Sequence, residues 1–157
     1  MNKINKWVFL ILISLILLIL GYLKDFIFIN INTHLFYVKR NLEDLRSHTF
    51  FNFLNNFSFK TVYYLKYFLT AFFLSTYYLI SVLVLRVLNK INLIKYLKII
   101  YFMVVFISAA FFLGGFFLNQ PETGYSVSRV FIGPLESPLP LIFLLLAARV
   151  NNIQQLQ

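Results

Sequence analysis

Four apolar runs, set between basic residues, constrain this chain more than any other feature: residues 7–23, 61–85, 99–118 and 130–148. Each approaches or exceeds the ~20 residues that a helix needs to cross the hydrocarbon core of a bilayer. The overall chemistry agrees, with 61% hydrophobic, 20% aromatic and 12% charged residues and a mean hydropathy of +0.81. A water-soluble domain of this size carries roughly 45–50% apolar and about 25% charged residues. Twenty Phe and ten Tyr exceed what one small aqueous core can bury, so lipid must solvate the excess. The expected fold is all-α and integral to a membrane, with about four transmembrane helices. Residues 1–157 form a single membrane domain without internal repeats, and membrane lipids are its first partners.

The formal net charge is +9, but the fourteen basic residues are scattered among the apolar runs rather than clustered on one polar face. That placement suits membrane insertion and argues against nucleic-acid binding. Arg86, Lys90, Lys95 and Lys98 lie between the second and third runs with no acid among them, which marks that loop as cytoplasmic. Lys3 and Lys6 precede the first run. Both termini are then expected in the cytoplasm of a multi-pass protein of a bacterial cytoplasmic (inner) membrane. The basic start and apolar middle of residues 3–23 also describe a secretory signal. Gly21-Tyr22-Leu23-Lys24-Asp25 offers no small-x-small cleavage site, so an uncleaved span is the first reading and a signal peptide the alternative.

Residues 25–60 differ in character. They carry Lys39, Arg40, Glu43, Asp44 and Arg46 yet keep Phe26, Phe28, Phe36, Tyr37, Phe50, Phe51, Phe53 and Phe57. Asn32 or Thr33 is positioned to cap a helix reaching about Arg46. Leu35, Val38, Leu42 and Leu45 recur at helical spacing, which predicts an aromatic-rich amphipathic segment in the headgroup region. A short extracytoplasmic subdomain packed on the other helices fits the same pattern.

The second run places Tyr63, Tyr64 and Tyr67 where an aromatic belt would sit, with Lys66 a few residues inside. In the third, Ala110 and Gly114 make a small-xxx-small pair for helix packing, within the chain first and between copies second. A polar turn is expected over residues 119–128, with Pro121 and Gly124. The last run contains Gly133-Pro134-Leu135-Glu136-Ser137-Pro138-Leu139-Pro140. Pro134, Pro138 and Pro140 cannot all occupy a regular helix interior, and too few apolar residues follow Pro140 to span alone. A kinked or broken helix at membrane depth is expected.

Glu136 is the main polar residue of that break, since a carboxylate near the bilayer centre is paired, protonated or functional. Arg129 precedes it by about 10 Å of helix rise, which reads as too far for contact. Lys66 matches its depth, and a Lys66–Glu136 pair is expected, with headgroup exposure of Glu136 as the bland alternative. Tyr125 and Arg129 are spaced for a cation–π contact, and Arg129 also suits a lipid phosphate.

Little supports catalysis. The chain contains no cysteine. His34 and His48 lack helical i,i+4 spacing and an HExxH context, and a zinc site completed by Glu43 and Asp44 has nothing to fix its geometry. No Gly-rich phosphate loop or Gly-x-Ser-x-Gly elbow occurs. No cofactor, metal or catalytic residue is expected.

Gly124-Tyr125, Ser128-Arg129, Gly133 and Ser137-Pro138, leading into Leu141-Ile142-Phe143-Leu144-Leu145-Leu146, resemble the closing segment of small bacterial membrane proteins associated with exosortases, of the exosortase-X and exosortase-F types. The plan of one amino-terminal span, an aromatic segment and three further spans is also similar. The resemblance implies a non-catalytic accessory role in protein sorting, with an exosortase-like membrane enzyme as partner. Exosortases use a cysteine nucleophile, which this chain lacks. Two other readings stay open: a small transporter or channel subunit using the Pro-broken last helix and Glu136, and a subunit of a lipid- or polysaccharide-modifying enzyme. Self-association is compatible with all three.

Overall fold

The computed structural model describes residues 3–40 and 49–154. Their order is α1 (Lys3–Lys39), a 3-10 segment (Thr49–Asn56), α2 (Phe59–Val87), α3 (Asn92–Phe117), α4 (Pro121–Leu135) and α5 (Leu139–Gln154), with no strand among them. The protein is therefore all-α. The helical stretches Trp7–Lys39, Phe59–Val87 and Asn92–Phe117 are each long and apolar enough to cross a membrane. A fourth crossing arises if Thr123–Leu135 and Leu139–Arg149, bent by 53°, act as one span. Large apolar side chains face outward throughout, as on α3, where Phe102 is 71% and Phe117 81% exposed. Surfaces of this kind belong against acyl chains rather than water.

Two boundaries differ from those the sequence predicts. The first helix does not end near Leu23. It continues through Lys24 and Asp25 to Lys39, so neither Asn32 nor Thr33 caps a new helix. Nothing between Tyr22 and Lys39 breaks a helix, because no Gly or Pro occurs there. Lys24 and Asp25 form a 3.8 Å ion pair, and Asn30 Nδ2 donates to the Phe26 carbonyl one turn back. At 37 residues the helix is about 55 Å long, against a hydrocarbon core of about 30 Å. The second difference is at residues 119–128, where the turn is over by Gln120: helix resumes at Pro121, at a first position where a missing N–H costs nothing. The last run is broken at its prolines, with α4 ending at Leu135 and α5 beginning at Leu139. Leu42, Glu43, Asp44, Leu45, Arg46 and His48 lie outside the described residues.

Two reversals use the same device. Asn89 and Asn119 take left-handed φ values of 55° and 56°. At the first, Asn89 N–H donates to Arg86 O and Lys90 N–H to Leu85 O. At the second, Asn119 N–H donates to Phe116 O and Gln120 N–H to Gly115 O. Both are Schellman closures in which asparagine stands where glycine is commonest. They satisfy the last carbonyls of α2 and α3 and turn the chain sharply.

Contacts divide the chain into two units, residues 15–73 and residues 1–14 with 74–157. In the first, Ile31 and Leu35 of α1, Phe51 and Leu54 of the 3-10 segment and Val62 of α2 form a buried cluster. The aromatic segment therefore packs on protein at Phe51 and Leu54, whereas Phe53 and Phe57 stay exposed. Ser58 caps α2: its Oγ accepts from Thr61 N–H at 3.3 Å and lies 2.9 Å from Thr61 Oγ1. The second unit is dominated by α3 against α4, with α5 touching both.

Candidate functional site

The antiparallel seam between α3 and α4 leads directly to the helix break. Tyr101, Ser108 and Gly115, all buried on α3, are seven residues apart, the spacing that keeps one stripe facing a partner helix. At one end Gly115 meets Gly124. A Cβ on Gly115 would overlap the Gly124 Cα, and one on Gly124 would come 2.7 Å from the Gly115 Cα. Backbone meets backbone here, so neither position accommodates a side chain. Phe111 and Phe131 then stack at 5.1 Å between centroids. Further along, Ser108 Oγ donates to the Ser128 carbonyl at 3.1 Å and lies 2.6 Å from Ser128 Oγ. At the far end the Tyr101 hydroxyl donates to the Leu135 carbonyl at 3.0 Å.

That last bond has a specific purpose. Pro138 and Pro140 carry no N–H, so the carbonyls of Pro134 and Glu136 lose their i+4 helical donors. Leu139 N–H is redirected to Ser137 Oγ, which leaves Leu135 O also without its helical donor. Ser137 Oγ donates to Pro134 O at 2.6 Å, and Tyr101 supplies Leu135. Broken backbone at membrane depth is tolerated only where such groups are resatisfied by protein. Pro134 itself falls in the last turn of α4, and Pro140 is the second residue of α5.

Glu136 occupies this break as the residue that ends α4 and is 1% exposed. Arg129 Nη1 stands 3.8 Å from Glu136 Oε2. The expectation that these two are too far apart is thus corrected. Seven residues make nearly two full turns, which puts both on one side of the helix. The long guanidinium arm then covers the rise, and helix geometry ends where Glu136 begins. Lys66, the partner expected instead, is buried at 8% exposure in the 15–73 unit, and its carbonyl accepts from Thr70 Oγ1.

The predicted packing pair lies one residue from the observed approach. Gly114 has nothing within 4 Å of where its Cβ would be, and Ala110 is exposed. Instead these two residues border a groove of about 400 Å³, floored by Gly115 and Gly124 and walled by Phe106, Phe111 and Leu118. His34 is buried in the 15–73 unit. Among the described residues no three His, Cys, Asp or Glu side chains come together to hold a metal ion. The heptad of Tyr101, Ser108 and Gly115 is the feature that a sequence reading centred on small-xxx-small pairs misses. Its signal is two polar or small residues spaced by seven in an apolar run.

No family model, no curated protein and no solved structure matches this chain.

Proposed function

We propose that the protein is a non-catalytic accessory subunit of a bacterial inner membrane, receiving a transmembrane helix of a larger membrane enzyme in the α3–α4 groove. The observation that carries this reading is the open face at Gly114 and Ala110. A groove floored by glycine and lined by apolar atoms lets another helix approach closely, which is how helices associate where no hydrophobic drive exists between them. The partner class, an exosortase-type sorting enzyme, follows from the resemblance of the carboxyl-terminal third. With that enzyme at work, the accessory chain needs no nucleophile of its own.

The test uses Gly114→Leu, which fills the groove where nothing in the chain occupies the space. Full-length protein, co-expressed with an exosortase-type membrane enzyme, is purified in mild detergent. Wild type is expected to retain the enzyme and Gly114→Leu to lose it at least about tenfold, with unchanged helicity. Equal recovery with both chains, or recovery of this protein with itself alone, counts against the reading.

A second reading rests on Glu136. A buried carboxylate at a break between two half-length helices is an arrangement that transporters use. Proton or solute flux in liposomes that disappears in Glu136→Gln would favour it over docking.

A further inference from the structure

A second groove runs between α2, just past its midpoint, and the middle of α3. It encloses about 680 Å³, with Ser75 and Tyr78 on one side and Lys98, Tyr101, Phe102 and Val105 on the other. Along α3 it extends from Lys98 to Ala109, about 16 Å at the rise of a helix, which is half of a hydrocarbon core of about 30 Å. Its length is therefore that of one leaflet. Its walls are mostly apolar, with a cation at one end. There Lys98 enters the lining, Lys95 lies one turn before it on the same face, and both are exposed. Lys90 and Arg86 follow in the adjoining turn and helix end, also exposed. The floor is fixed by Tyr101, which meets Tyr78 at 5.1 Å and 64° and is anchored through its hydroxyl on Leu135.

A slot one leaflet deep, greasy along its length and cationic at its mouth, matches an amphiphile with a long acyl chain and a negatively charged head. We infer that this groove holds one chain of an anionic glycerophospholipid, with Lys98 and Lys95 on its phosphate. Lysines near a membrane surface attract anionic lipid, and here the attraction is tied to a shaped slot rather than spread over a face. The choice of phospholipid follows from the paired cations, which suit a headgroup of net negative charge held beside the hydrocarbon. It does not depend on what docks at Gly114.

Native mass spectrometry of the full chain tests this. Protein in non-ionic detergent is offered phosphatidylglycerol or phosphatidylcholine with identical acyl chains. Wild type should retain phosphatidylglycerol about fivefold or more over phosphatidylcholine. Lys95→Gln with Lys98→Gln should bring the two lipids level. Val105→Trp, or Ala109→Phe should the first not fold, should reduce retention of both. Equal retention by wild type, an unchanged preference in the double glutamine variant, or undiminished retention in a folded groove-filling variant would overturn the inference.

Discussion

Arg129 and Glu136 meet at 3.8 Å across the end of α4, with the carboxylate 1% and the guanidinium 28% exposed at their side chains. Removing the arginine leaves a negative charge deep in protein with less to balance it. Arg129→Gln should lose about 2 kcal/mol, below the ~3–5 kcal/mol of a fully buried pair because the arginine keeps some exposure. Glu136→Gln should cost less, since it removes the buried charge itself. Thermal unfolding in detergent, followed by circular dichroism, measures both. If Arg129→Gln melts with the wild type, the contact contributes nothing.

The sequence expectation of a Lys66–Glu136 pair makes a separate prediction about the same carboxylate. Lys66→Glu and Glu136→Lys should each lower the amount of protein in the membrane, and the double reversal should restore it. A double variant as depleted as the singles ends the pairing idea, and immunoblots of membrane fractions decide the matter.

The two adjacent glycines of α3 should respond in opposite directions. Gly115→Ala drives a methyl into the Gly124 backbone, so overpacking of about 1–3 kcal/mol outweighs any helix gain. Gly114→Ala meets open space and should stabilise by up to about 0.5–1 kcal/mol through helix propensity. Unfolding in mixed micelles with increasing sodium dodecyl sulfate ranks them. The reverse order would mean that the seam is rotated by one residue.

The seam's polar contacts are worth less than its shape. Ser108→Ala should cost about 0.6 kcal/mol, typical of side-chain hydrogen bonds between membrane helices. Tyr101→Phe should cost more, about 1–2 kcal/mol, because it strands the Leu135 carbonyl beside the break. The same unfolding assay separates the two substitutions, and equal losses would contradict the assigned role of Tyr101.

The sequence makes hydrophobic runs and proline chemistry legible, which is why the helical class and the interruption at residues 136–138 are readable from it. Its signals are weaker wherever a helix end is inferred from charge. Lys24 and Asp25 look like a boundary, but charged residues do not interrupt backbone hydrogen bonds, and α1 runs past them. Asn119 and Pro121 read as a loop, although the first closes α3 and the second starts α4. Which glycine of the Gly114–Gly115 pair faces its neighbour depends on helix rotation, and the seven-residue spacing from Tyr101 and Ser108 reports that rotation better than Ala110 does. Rise along the helix axis hides the approach of Arg129 to Glu136, because it is not the distance between side-chain ends.

Every role assigned above requires that acyl chains, not water, cover the outward-facing Phe, Leu and Ile residues. Extraction of membranes with alkaline sodium carbonate examines this most directly, because it strips peripheral proteins and leaves spanning ones in place. The full chain should remain quantitatively in the membrane pellet and require detergent for release. Its appearance in the carbonate supernatant as a monodisperse species would contradict the spanning helices and the two lipid-facing grooves built on them.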